Sequence, residues 1–281
     1  MNKLKTTSLG LLIFILSIST LLAQDTGEPQ VLDGAWVKHK GSTKRLIPYT
    51  HVREDDVMWS KRIWRQIDLK EKINFPLYYP ISPIADRKSL FEVIKNGIEE
   101  GTITAYDDDE FKVSLTKAEA KSKMGGYETI PLYDEYGEQY GTDSSFVELE
   151  SQDIMMYNLK EDWFFDKERS IMDVRIIGMA PVKQILNEDG TVRGYSSLFW
   201  IYFPQARYVF VNYETFNRHN DAERRTFDDI FWKRMFSSYI QKESNVYDRM
   251  ILHYKQGMDI LLEGEKIKEV ITNYEHDLWH F

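Results

Sequence analysis

The sequence predicts an α+β fold: a central antiparallel sheet over about residues 153–212, flanked by helices and preceded by an extended N-terminal arm. Three observations carry that prediction. The densest apolar and aromatic run, from Glu161 to Phe216, is divided by turn residues and not by helical periodicity. Segments on either side of it place apolar residues at helical spacing. Residues 24–50 show neither pattern and are punctuated by Gly27, Pro29, Gly34, Gly41 and Pro48.

The chain opens as a secretory signal. Lys3 and Lys5 precede an apolar stretch from Leu9 to Leu22, with Ala23 a small residue before Gln24. That stretch is shorter than the roughly 20 residues a membrane span needs, so the expectation is cleavage, with no direct membrane span. Removing residues 1–23 takes away two lysines and no acid, which moves the formal charge from −9 to −11. So acidic a chain argues against nucleic acid as a partner. With no cysteine there is no disulfide framework, no lipid-acceptor thiol and no thiol catalysis.

Residues 24–50 read as an arm, locally basic through Lys38, His39, Lys40, Lys44 and Arg45. Trp36 and Tyr49 are its candidate anchors on an acidic neighbouring subunit. Residues 51–145 read as a part made of helices and short strands. Its first helix is placed at 55–74, where Trp59, Ile63 and Ile67 recur at i, i+4 and i+8 behind Asp55 and Asp56. Pro76, Pro80 and Pro83 then impose an extended link. Ser89 to Glu100 reads as a second helix closed by Gly101. Short strands are expected at 102–106 and 111–115 around the acidic turn Asp107 to Glu110. Thr116 and Glu119 have the form of a capping box, and Gly125-Gly126 stops the short helix it opens. The Pro- and Gly-bearing segment 127–145 marks the boundary with the remainder, residues 146–281.

In that remainder, Tyr157, Leu159, Trp163 and Phe165 fall on one parity and Asn158, Lys160 and Asp162 on the other, the period of a half-buried strand. The Val/Ile-rich run 171–185 is a second strand, and Asn187 to Gly190 supplies a turn. Leu198–Phe203 and Tyr208–Val211 return as β-prone runs split by Pro204. A three- or four-stranded meander results. A helix is expected at 226–243, capped by Thr226. Phe227, Phe231, Trp232 and Phe236 lie on its wide apolar face, making them candidates for contact with another subunit. Residues 247–261 and 267–278 read as two further helices separated by Gly264. Residues 55–74 and 228–245 echo each other, with Asp-Asp, an aliphatic, Trp and Lys-Arg shared across one gap; duplication and common helix-start signals both predict that pattern.

The chemical motifs are few. There is no phosphate-binding loop and no dinucleotide fingerprint, and Gly194 to Leu198 lacks the closing glycine of a nucleophile elbow. His276 and His280 stand four apart as zinc ligands do, but His280 lies at the fraying end of the chain. Asp107 to Glu110 lacks calcium-loop spacing. Glu161, Asp162 and Asp166 around Trp163, Phe164 and Phe165 would suit a carboxylate pair beside a sugar platform, the basis of an alternative reading as a periplasmic carbohydrate-active or metal-dependent hydrolase. No catalytic residue, metal or cofactor is assigned.

The phrases EDWFFDKERS (161–170), RIIGMAPV (175–182), LFWIYFPQAR (198–207) and NYEHDLW (273–279), with WSKRIWRQIDLKEKINFPLYYP (59–80), resemble the gliding-motility family GldN, also called PorN, of the Bacteroidetes type IX secretion system. The resemblance takes in most of the chain after the signal. It implies a periplasmic, non-enzymatic subunit that pairs with an outer-membrane lipoprotein, GldK or PorK, and self-associates into a ring. It also implies contact with the periplasmic region of the motor protein GldM or PorM. The family brings no catalytic residues to carry over. A ring requires one patch to meet a different patch on the next copy, and the helix at 226–243 and the arm are the candidates for those patches.

Overall fold

The long central strands are rich in β-branched and aromatic residues, and they pair into one antiparallel sheet. A computed structural model describes residues 44–84, 87–133, 139–187, 189, 191–218, 220 and 222–278. The signal segment, most of the arm with Trp36, Glu188 and Gly190 of the expected turn, Trp279 and His280 lie outside the described residues.

Strand β1 (Val57–Asp68) sits between β11 (Tyr239–Glu243) and β5 (Ile154–Asp166). Next come β6 (Ile171–Leu186), β8 (Trp200–Tyr202) and β2 (Ala105–Tyr106), while β7 (Val192–Ser197) also pairs with β6. The α+β class therefore holds, with a seven-stranded sheet in place of a short meander. Strands β3 (Gly125–Tyr133) and β4 (Gln139–Glu148) form a separate hairpin, and β9 (Glu214–Thr215) pairs with β10 (Arg225–Thr226). The segment read as a boundary between 51–145 and 146–281 is that first hairpin. Strand β1, from the first part, pairs with β5 and β11 of the second.

The helices are α1 (Phe75–Tyr78), α2 (Leu90–Glu100), α3 (Lys117–Lys123), α4 (Phe203–Phe210), α5 (Phe227–Trp232) and α6 (Met258–Asp277). Helix α2 ends where expected: the Ser89 side chain accepts from the Glu92 N–H, and Gly101 takes φ +85°. The capping box of Thr116 and Glu119 opens α3 as its spacing predicts.

Six expectations are corrected. Residues 75–78 form the helical turn α1 within the link expected to be extended, because Pro76 stands in the first turn, where its missing N–H has no helical partner to lose. Residues 57–68 are a strand and not a helix, because a spacing of four satisfies both periods: Trp59, Ile63 and Ile67 are one helical stripe and equally one parity of a strand. Residues 208–211 belong to a helix, since Pro204 in the first turn of α4 pre-sets its backbone and does not split two strands. The helix expected at 226–243 stops at Trp232, with Arg234 at φ +51°, and the chain re-enters the sheet as β11. Residues 247–261 are not a separate helix: a short 3-10 turn, Ile251–His253, precedes α6. Helix α6 then runs unbroken through Gly264, where a Cβ would stand 3.1 Å from the Ile240 carbonyl oxygen. That close crossing over the edge strand explains a glycine that costs about 1 kcal/mol in a helix. The second short strand at 111–115 reduces to a single bridge between Tyr106 and Ser114. The echoing segments adopt different structures: the first is mainly strand β1, and the second is most of α5 followed by β11.

One face of the sheet carries two apolar clusters. The larger unites Ile67, Tyr157, Leu159 and Met179 of the sheet with Phe91 and Ile94 of α2, Phe203 and Phe210 of α4, and Phe227 and Phe231 of α5. The smaller holds Ile63, Ile240, Ile251, Ile267 and Ile271, packed under α6. Between them on the same strand parity stand Arg65, buried, and Glu161, fully buried. The register locates this seam, because Ile63 faces Glu161, Arg65 faces Leu159 and Ile67 faces Tyr157.

Candidate interaction site

Helix α5 is short and well anchored. The Thr226 hydroxyl accepts from the Asp229 N–H at 3.3 Å, and the Asp229 carboxylate accepts from the Thr226 N–H at 2.9 Å, a complete capping box. Its first turn presents Asp228 to Arg207 of α4, which donates from Nε to Oδ1 at 2.7 Å and from Nη2 to Oδ2 at 3.2 Å. The same Nη2 reaches the Ile47 carbonyl at 2.9 Å. This guanidinium lies against two rings, 4.4 Å from the Tyr49 centroid and 4.7 Å from that of Trp232, and those rings stack at 5.5 Å.

The end of the arm is held by further contacts. Arg175 of β6 sits over Tyr49 at 5.3 Å and donates to the Thr50 carbonyl, and Lys44 pairs with Asp229. Burial opposes the Asp229 charge, but hydrogen bonds from Lys44 and Thr226 outweigh it and hold the carboxyl below its ordinary range. Burial likewise pushes the Tyr49 phenol up to about 12, against the opposing pull of Arg207.

The residues expected to face another subunit therefore separate. Tyr49 and Trp232 come together, but on one chain. Phe227 and Phe231 belong to the core, with Phe231 packed on Phe203 at 5.3 Å. This corrects the wide outward face: ending α5 at Trp232 turns its phenylalanines inward. Phe236 is half-buried against Phe231 at 5.6 Å. Trp232 keeps 43% exposure. Arg175 and Arg207, which organise the cluster, were missed by a reading built on aromatic stripes. The one available signal was their presence in the phrases RIIGMAPV and LFWIYFPQAR.

Two larger apolar surfaces lie elsewhere. The loop before α6 and its outward face expose Val246 at 97%, Tyr247 at 73% and Met258 at 70%, with Leu252, Leu262 and Val270 also exposed. The Pro-rich link forms a groove of about 570 Å³ whose walls include Phe75, Tyr79, Ile84 and Phe216, rimmed by Lys72, Arg87 and Arg218.

The candidate chemical groups are occupied. Glu161 accepts from Trp163 Nε1 at 3.0 Å and is paired with Arg234. Asp162 points to the opposite face and forms a bidentate pair with Arg62, at 2.6 and 2.8 Å. Asp166 accepts from the Glu168 N–H at 2.9 Å. Asp109 of the acidic turn accepts from Trp64 Nε1 at 2.8 Å and pairs with Lys160 at 3.2 Å. Among the described residues no three metal-ligating side chains converge, and no helix is long and apolar enough to cross a membrane.

Residues 52–280 match the sequence profile of a family described as gliding motility associated protein GldN. No curated protein matches the chain.

Proposed function

The chain belongs to the GldN family of gliding motility associated proteins, and on that premise we propose that it is a non-enzymatic structural subunit of the periplasmic ring of the type IX secretion and gliding machinery. In this reading the signal segment exports it to the periplasm, and a lipoprotein of the GldK/PorK type holds it at the outer membrane. The periplasmic region of a GldM/PorM-type protein couples it to the motor.

One observation supports the assembly reading: between Val246 and Val270 the chain exposes many large apolar side chains, Val246, Tyr247, Leu252, Met258, Leu262 and Val270 among them. We assign that surface to contact with a second copy. The hydrolase alternative is disfavoured because Glu161 is sealed under Arg234 while Asp162 lies on the other face of the sheet, so the two do not flank a common cleft.

Light scattering on the mature protein, alone and with its lipoprotein partner, tests the proposal. Association is expected, and Leu262→Asp should weaken it at least tenfold while changing monomer stability by no more than about 0.5 kcal/mol. A monomer that never associates, yet hydrolyses a glycan and loses that activity in Glu161→Gln, would overturn it.

A further inference from the structure

The seam between the two cores encloses a cavity of about 200 Å³, lined in part by Arg65 of β1, Arg234, Ser238, and Lys268 and Thr272 of α6. Three cations thus face one small space. Arg65 is only 8% exposed, yet among the described residues it forms no ion pair: its Nε donates to the Ser238 hydroxyl at 2.9 Å and its Nη2 to the Ser238 carbonyl at 3.0 Å. Glu161 is committed to Arg234, whose Nη1 lies 2.9 Å from Oε1 and whose Nη2 donates to Oε2 at 3.1 Å. Lys268 pairs with Glu265 at 3.3 Å.

A guanidinium taken out of water without a carboxylate is costly, and such sites are completed by an anion. Burial accordingly pushes Arg65 below its ordinary value. The backbone is shaped around the same level. The pairing register shifts at Trp64/Arg65 on one side of the seam and at Lys160/Glu161 on the other. Arg234 is held at φ +51°, a strained conformation that places it on the cavity wall.

We propose that this cavity binds a phosphate group, free or as the end of a phosphomonoester, between Arg65, Arg234 and Lys268. Two guanidinium groups supply planar pairs of donors and the ammonium a third direction. The Ser238 hydroxyl accepts from Arg65, which leaves its own proton to donate to a phosphate oxygen. Glu161 balances Arg234 and Glu265 balances Lys268, so the positive charge left over is that of the buried Arg65, and phosphate is favoured over a carboxylate because its oxygens accept from all three directions at once. This proposal does not rest on the ring function.

Titration calorimetry on the mature chain tests it, with inorganic phosphate and glycerol 3-phosphate as ligands and acetate and chloride at matched ionic strength as controls. Saturable phosphate binding is expected, weakened at least tenfold in Lys268→Ala and in Arg65→Lys. Lys268 has a half-exposed side chain on the helix surface, so its variant keeps the fold if Arg65→Lys does not. Equal affinity for glycerol 3-phosphate identifies a phosphomonoester as the source, and tenfold weaker affinity identifies free phosphate. Absence of saturable binding to either, acetate binding as tight as phosphate, or binding untouched by Lys268→Ala would overturn the assignment.

Discussion

Arg207 shows how one side chain organises a surface. It is buried, balanced by Asp228, covered by two rings, and bonded to the backbone of the arm. Tyr49 depends on that arrangement. Its phenol is neutral in the fold and raised to about 12, so its contribution to stability is complete below about pH 10 and is lost as pH rises from 10 to 12. Allowing for partial solvent access, the loss is about 1–2 kcal/mol. Tyr49→Phe should remove that part of the alkaline destabilisation, measured as melting temperature against pH between 9 and 12; identical alkaline profiles for the two proteins would refute the account. The rings of this cluster, Tyr49 and Trp232, were legible as candidate contact residues, and its cations were not. Hydrophobic periodicity identifies stripes, and a buried arginine interrupts a stripe without announcing its partner.

At the scale of elements, legibility followed the uniqueness of the signal. Strand β5 alternates through its middle, β6 is a long run rich in Val and Ile, and α2 and α3 carry side-chain caps, so each was placed close to its observed bounds. Strand β1 was not, because its apolar spacing fits two periods and only pairing with β5 and β11 decides between them. Strand β11 was hidden for a different reason: the start signals at Thr226 are real, but the helix they open lasts six residues. Gly264, a helix breaker by residue type, is a contact point in the fold. Gly264→Val should destabilise the chain by about 1–3 kcal/mol by lifting α6 from the Ile240 backbone, as thermal unfolding would register. A neutral outcome would mean that the crossing is loose.

The whole molecule divides its covered sheet face into a large core and a small one. The small cluster is closed mainly by α6, whose own exposed face contributes nothing to holding it down. Native-state hydrogen exchange should therefore find the β11 and α6 amides opening together, at a free energy about 2 kcal/mol or more below that of β5 and β6. Uniform protection across both cores would contradict that division. This partition was invisible in the sequence, since Arg65 and Glu161 lie far apart along the chain and only strand register brings them within two residues of each other across the β1–β5 pair.

The three longest neighbours, β1, β5 and β6, have 12, 13 and 16 residues and run antiparallel side by side. At about 3.3 Å per residue each spans roughly 40–50 Å. Their hydrogen bonds lie across the strands, so a tension applied along the strand axis loads many rungs in shear at once, whereas a force across the sheet would peel them one by one. The sheet is a strut in one direction and a zipper in the other, and the direction in which neighbours grip this subunit decides which of the two they feel.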